Sequence, residues 1–268
     1  MISISRMLLS AAIVAALPLT IAAQQASLGY HTISCVKANH GQEAQLDAFV
    51  KGDGHKLSQA MVDSGKVSGE IAMENVLPGG DEAKCDYMFV TFYPGSPKGP
   101  DTPDEMQQAL KQAGVAMTVP ELYAKYGELG KLVFTHILQF HGLVGGAQQG
   151  DYLVFNLMNA PDAQACVDYE QKEWKPVAEQ MKTDGGLDGW AVNTQVFPRG
   201  TLDMYDVSTV DIYPTWDAAM NEYTNIMSSW KKVHADEDIN TSMGKFATLC
   251  PIEHTTMYKI VDAVMAKM

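Results

Sequence analysis

Few side chains in this chain could do chemistry, and none stands in a familiar catalytic array. Asp211 is the sharpest candidate, because it interrupts the apolar, β-rich run 205–213. A carboxyl among apolar walls resists ionisation, so its pKa rises and it can act as a general base. The competing reading leaves Asp211 on a strand edge facing water. His141 closes another β-rich run, 131–141, and is the second candidate for proton transfer. His31, His40 and His55 are too irregularly spaced for a two-histidine box on one helix, and no metal site is expected. No G-x-G-x-x-G, P-loop or G-x-S-x-G pattern occurs, which disfavours dinucleotide binding, nucleotide hydrolysis and α/β-hydrolase chemistry. Cys35, Cys85, Cys166 and Cys250 lack C-x-x-C spacing, which disfavours a zinc or thioredoxin-type centre. Their pairing does not follow from spacing.

These residues sit in a sequence that repeats with a period of 120. Val76, Pro78, Gly80, Asp86 and Tyr93-Pro94 recur as Val196, Pro198, Gly200, Asp206 and Tyr213-Pro214, and Gly69 recurs as Gly189. A fixed period announces a duplicated architecture. Differences between the copies then point to function, since packing alone would tolerate similar residues in both. Trp190 stands where the first copy has Glu70, Asn193 where it has Met73, Thr209 where it has Phe89, and Asp211 where it has Thr91.

The elements that must position these residues read alike in both copies. First strands over 30–37 and 152–158 alternate and are rich in β-formers. Helices follow over 42–51 and 163–175, interrupted at Gly52-Asp53-Gly54 and Trp174-Lys175-Pro176, then resume over 56–63 and 177–182. Strand pairs 67–77 with 86–93, and 187–197 with 205–213, connect through Pro78-Gly79-Gly80 and Pro198-Arg199-Gly200. A second helix opens near Pro103-Asp104 and near Thr215-Trp216. In the latter an apolar stripe from Trp216 to Val233 recurs at three- and four-residue steps and predicts core packing. Short helices over 120–129 and 240–247 precede last strands over 131–141 and 254–264. Each copy is thus β-α-β-β-α-β, the ferredoxin-like split unit, and the chain reads as α+β. Two such units can bury their bare sheet faces against each other.

The amino terminus reads as a signal peptide over 1–23: Arg6, an apolar run over 7–17, Pro18, then the small residues Ala22 and Ala23. The run is about half the ~20 residues that span a bilayer, so cleavage rather than stable membrane anchoring is expected. The copies are then placed at 24–146 and 147–268. Cysteine usage suits an exported, periplasmic or extracellular chain. With 19 basic against 32 acidic residues the net charge is −13, a surface that repels phosphate backbones, so no nucleic-acid partner is expected. Asn240-Thr241-Ser242 is a glycosylation sequon, relevant only in a eukaryotic secretory host.

In element order and duplication the chain resembles the dimeric α+β-barrel superfamily, which includes antibiotic-biosynthesis-monooxygenase, EthD-like and chlorite-dismutase-like groups. The resemblance covers about 30–143 and 150–268 and carries no diagnostic motif. It implies that the tandem copies form, within one chain, the pseudo-dimeric barrel that relatives make from two chains. It places each first strand between the third and fourth strands, antiparallel to both. Cys35 could then reach Cys85, and Cys166 could reach Cys250; free buried thiols are the alternative. It also implies a ligand cavity between the sheets. Leu132, Phe134, His136, Leu138 and Phe140 would tuck under the helices, leaving Val133, Thr135, Ile137, Gln139 and His141 for the barrel interior. The same parity in the second copy selects Glu253, Thr255, Met257 and Lys259. Asp211 and His141 would be the proton-transfer groups, and Trp190, Asn193, Thr209, Tyr213 and Lys259 the ligand-binding set. Some of these groups use haem on a proximal histidine, but His234 and His254 sit in no recognisable ligand context, and the cofactor stays unknown. The expected role is an exported soluble protein that binds a small apolar or aromatic molecule. The alternative is a cofactor-free or haem-dependent enzyme of monooxygenase, isomerase or dismutase type. A purely structural role is the third reading, and oligomeric state stays open.

Overall fold

The computed structural model describes residues 29–97, 101–199 and 205–266. The signal expected over 1–23 lies outside them. Eight strands and nine α-helices are described: β1 (Tyr30–Ala38), α1 (Glu43–Phe49), α2 (His55–Asp63), β2 (Gly69–Leu77), β3 (Tyr87–Phe92), α3 (Pro103–Gln112), α4 (Val119–Leu129) and β4 (Gly130–Gly145), then β5 (Tyr152–Met158), α5 (Ala163–Tyr169), α6 (Lys175–Thr183), β6 (Gly189–Phe197), β7 (Val207–Tyr213), α7 (Trp216–Met220), α8 (Glu222–Val233), α9 (Ile239–Leu249) and β8 (Ile252–Met265).

Local chemistry sets the helix starts. Thr102 and Thr118 each cap a helix that carries Pro in its first turn, and each forms a reciprocal capping box, with Glu105 and Glu121 respectively. The interruptions expected at 52–54 and 174–176 are not breaks. The helix runs through them as π turns, Val50–Gly54 and Glu170–Trp174, spaced 120 residues apart. Gly54 suits the wide turn because a Cβ there would meet the Phe49 carbonyl at 3.0 Å. The single stripe expected over 216–233 does break, at Asn221 between α7 and α8. Trp230 and Ala219 are buried, but the change of direction leaves Tyr223 72 % exposed and Met220 half exposed.

The strands close a barrel in the order β1-β3-β2-β8-β5-β7-β6-β4, and every neighbouring pair is antiparallel. This is a mixed α+β fold around an eight-stranded closed barrel. β1 lies between β3 and β4, and β5 between β7 and β8, the placement that the resemblance implied. The two four-stranded sheets do more than face each other. Their edges hydrogen-bond at two seams, β2–β8 and β4–β6, leaving no open sheet edge. The recurring Gly69 and Gly189 lie at these seams. A Cβ on Gly69 would press into the Met265 sulfur, and one on Gly189 would meet Gly146 backbone at 2.9 Å.

Apolar residues form three main layers. Ile33, Ile71, Val90, Leu138, Phe155, Ile212 and Tyr258 belong to a cluster that draws on strands from both sheets and on no helix, which makes it the barrel interior. Two other clusters mix strand and helix residues, one around Leu110 and Leu122 and one around Val177 and Trp230; these lie between sheet and helices.

Both disulfides stay within one half: Cys35–Cys85 ties β1 to the approach to β3, and Cys166–Cys250 ties α5 to the end of α9. They close loops of 50 and 84 residues, so in the chain-entropy view each restricts the unfolded chain by roughly 4 kcal/mol. Peptide mapping without reduction should recover these two bridges and no bridge between halves. Replacing either pair by serine should lower stability by about 2–5 kcal/mol in chemical denaturation.

Candidate functional site

Strand register decides which side chains enter the barrel, because cross-strand partners share a face. Cys35, Ile33 and His31 lie opposite Phe134, His136 and Leu138, and Leu138 and Phe140 lie opposite Gln195 and Asn193. Phe134, His136, Leu138 and Phe140 therefore face the interior, the reverse of the parity expected. The reason is exposure: helices leave the outer face of early β4 uncovered, with Leu132 59 % and Val133 39 % exposed, so the mixed set belongs outside. An eight-stranded barrel interior is just wide enough for side chains, and it takes the more apolar set.

The candidate residues are divided by the same rule. Trp190, Thr209, Asp211 and Tyr213 face the helices, as does Met257; Trp190, Tyr213 and Met257 pack in the second helix–sheet cluster. Lys259 is exposed on the outer face, its ammonium 5.3 Å from the Tyr152 ring. His141 sits at a bulge in β4, between the partners Phe140–Asn193 and Gly142–Val192, and Nε2 meets the Thr194 hydroxyl at 2.7 Å. Burial lowers the His141 pKa. Of the named set, Asn193 alone turns into the barrel. The expected cavity lined by Asn193, Thr209, Asp211 and Tyr213 together is therefore not formed, since the sheet separates them.

Asp211 is 6 % exposed, so the reading that leaves it in water does not hold. It accepts a 3.0 Å hydrogen bond from the Asn156 amide, whose oxygen in turn accepts from Thr255. Burial first, then the Glu222 carboxyl, raises its pKa well above the carboxylate range. Glu170, on the second π turn, is raised by burial and by Asp211; Glu222 is raised by burial. The Tyr213 hydroxyl faces Glu222 without regular hydrogen-bond geometry and is also pushed up by burial. The first half places a partly buried carboxyl at the corresponding rung, from the neighbouring strand. Glu70 accepts from Ser58 at 2.5 Å and Thr91 at 3.2 Å, and burial raises its pKa.

The interior holds a different polar patch. His31 is buried and stacks on Phe140 with centroids 4.2 Å apart; Phe92 lies nearly parallel to Phe140 at 6.2 Å. Phe92 and Phe140 are half-buried. Asn193 lies opposite both Phe140 and Ser208, and Gln195 lies opposite Leu138, itself opposite His31. His31 Nδ1, Asn193 Oδ1, Gln195 Oε1 and Ser208 Oγ are buried without a hydrogen-bond partner among the described residues. Such atoms are uncommon in native interiors. Burial lowers the His31 pKa to about 3, so its imidazole is neutral at ordinary pH. His136, by contrast, is held by the Tyr205 hydroxyl at 3.0 Å. His31, Gln195 and Ser208 were missed from sequence; placing His31 on the face of Ile33 and Cys35 would have found the first.

No protein-family model matches the sequence, and no curated protein matches it. Solved structures do match in fold. A candidate monooxygenase from Fusobacterium nucleatum shares 8 % identity at a TM-score of 0.56, covering 90 % of this chain and 99 % of that one. An anthrone oxidase-like protein shares 13 % identity at 0.51, covering 91 % and 96 %. A candidate monooxygenase from Lactobacillus acidophilus shares 8 % identity at 0.51, covering 90 % and 100 %. The chain thus resembles the dimeric α+β-barrel superfamily at the level of fold.

Haem on His234 or His254 does not fit these residues. His234 Nε2 is engaged by the Glu173 carbonyl at 3.0 Å and the ring lies on Trp230 at 4.3 Å, while His254 is exposed on β8.

The Asp211 environment has a pH signature. Its folded pKa lies above the unfolded value, so the folded chain holds a proton that the unfolded chain releases. Stability from this group therefore falls as pH rises from about 4 towards the folded pKa. Asp211→Asn should raise the melting temperature by several degrees at pH 7.5, with the gain shrinking towards pH 4.5 in calorimetry. A variant less stable at pH 7.5 would mean that the carboxylate form is held by a counter-charge.

Proposed function

We propose that this chain is an exported binding protein built from two ferredoxin-like repeats, over 24–146 and 147–268, behind a signal peptide over 1–23. Its ligand is a small aromatic molecule carrying hydroxyl or N–H donors, taken up on the interior side of the β4–β6 seam. One observation carries this reading. An aromatic shelf of His31, Phe92 and Phe140 adjoins three buried oxygens, from Asn193, Gln195 and Ser208, that lack partners among the described residues. Unpaired buried acceptors are unfavourable by ~1–3 kcal/mol each, so a ligand supplying donors relieves them while its ring covers the shelf. The two disulfides suit an oxidising compartment. No helix among the described residues is long and apolar enough to cross a membrane.

A second reading rests on His31. A neutral imidazole beside the shelf accepts a hydrogen bond from the hydroxyl of a bound phenol and orients it for cofactor-free chemistry, while burial, which lowers its pKa to about 3, makes it a weak base for the proton itself. The oxidase and monooxygenase names belong to the fold neighbours and do not decide between these readings.

Mass spectrometry of the native protein should identify a bound aromatic. Titration with dihydroxynaphthalenes, followed by calorimetry, should show saturable binding that unsubstituted naphthalene shows more weakly. His31→Leu and Asn193→Leu should each weaken binding of the hydroxylated probes about 5- to 100-fold while leaving naphthalene unchanged. Equal losses for both probes would assign these residues to packing alone.

A further inference from the structure

The seam opposite the proposed interior site carries a second constellation on its outer face. His55 opens α2 directly after the first π turn, and its Nδ1 lies 2.9 Å from both carboxylate oxygens of Asp262. The Asp262 side chain is 15 % exposed and that of His55 is 42 % exposed. The pair opens on a cleft of about 540 Å³, which Lys51, Glu74 and Lys259 also line. His55 Nε2 makes no hydrogen bond among the described residues. An imidazole whose Nδ1–H is claimed by a carboxylate presents the Nε2 lone pair outward, the arrangement of an oriented general base.

Two departures from regular backbone create this meeting. The π turn widens the helix just before His55. A bulge in β8 falls between the partners Met73–Ile260 and Ala72–Asp262, and so brings Asp262 to the helix side. Near Asp262 lies the partly buried Glu70, held by Ser58 and Thr91. Lys259 has no carboxylate within ion-pair distance among the described residues, whereas Lys51 is paired with Asp47 at 2.7 Å. The corresponding seam of the other half has the same π turn and the same bulge but lacks the pair. Lys175 stands in the place of His55, and Gly142, opposite Val192, in the place of Asp262. Packing of the fold therefore does not require a histidine and an aspartate here.

We propose that this cleft is a separate site in which His55 takes a proton from a small carboxylate-bearing organic acid. Nε2 accepts the proton, and the electron pair stays on the substrate as an enolate or alkoxide. Lys259 holds the carboxylate and offsets the new charge. The imidazolium then returns the proton to product or solvent, so no oxidant or cofactor enters the step. Asp262 is a positioning residue that fixes the tautomer.

Pyruvate in D2O tests this, because loss of its methyl signal by proton NMR reports proton abstraction directly. The protein should speed exchange at least tenfold over equimolar imidazole, and His55→Gln should abolish the excess. Asp262→Asn should cut exchange about tenfold and alter the His55 tautomer in ring nitrogen-15 spectra of the same folded protein. Lys259→Gln should raise the pyruvate concentration at half-saturation. In the wild-type protein, pyruvate should shift the His55 ring nitrogens saturably. If pyruvate, lactate and benzoate all leave those nitrogens unmoved, or if exchange survives His55→Gln, the proposal is overturned. His31→Leu should change none of these signals, which separates this site from the interior one.

Discussion

Closure of the barrel at its two seams is the constraint from which the rest of the structure follows. Each four-stranded sheet ends in edge strands, β4 and β2 in one half and β8 and β6 in the other. Left open, those edges would present rows of unpaired N–H and C=O groups. Pairing β2 with β8 and β4 with β6 satisfies them and puts one face of every strand inside a common core. The long last strands of both halves, 16 residues for β4 and 14 for β8, serve two neighbours each, and they must bend to do so.

The bending is local. Both last strands carry a bulge at equivalent places, with His141 the extra residue in β4 and Val261 in β8. Beyond each bulge the side-chain alternation shifts face. Phe140 points inward, yet Val144 packs with the helix layer two rungs beyond its bulge. The same device that closes the barrel thus sets which polar groups enter it. On the β4–β6 side it leaves Asn193 beside Phe140 in the interior. On the β2–β8 side it carries Asp262 out to the helix that bears His55.

Much of this was legible in the sequence because it rests on chemistry that repeats. The recurring glycines mark where another strand crosses, the capping threonines and prolines mark helix starts, and the resembled fold implied the cysteine pairs that the structure shows. The face of each strand was not legible. Alternation alone says that two sets exist; deciding which set lies inside needs to know which outer surfaces the helices leave bare, as they do at Leu132 and Val133. The interruptions at 52–54 and 174–176 were visible as glycine and proline, but a wide turn and a break share that signature. Asp211 read from sequence either as a buried carboxyl in the interior or as a strand-edge group in water; it is buried, but on the helix side of the sheet.

That misplacement has a physical lesson about where the two halves differ. Thr91 and Asp211 occupy equivalent places, as do Glu70 and Trp190, and within each half the two residues face across neighbouring strands: Glu70 opposite Thr91, Trp190 opposite Asp211. Each half therefore places one carboxyl at the same rung of its helix–sheet layer, contributed by a different strand, Asp211 buried and Glu70 partly buried. A carboxyl kept protonated by burial can donate as well as accept, so it can be held by neutral partners such as Ser58 or Asn156 without a counter-ion. The outer layers can thus bury acidic groups by hydrogen bonding. The interior patch has neither a carboxyl nor partners among the described residues for its acceptors. At this rung the difference between the halves is an exchange between neighbouring strands. The replacement of Met73 by Asn193 has no such exchange, because its neighbours Phe140 and Ser208 offer the amide oxygen no hydrogen bond. That asymmetry is one that hydrogen bonding among the described residues does not absorb, and it points inward.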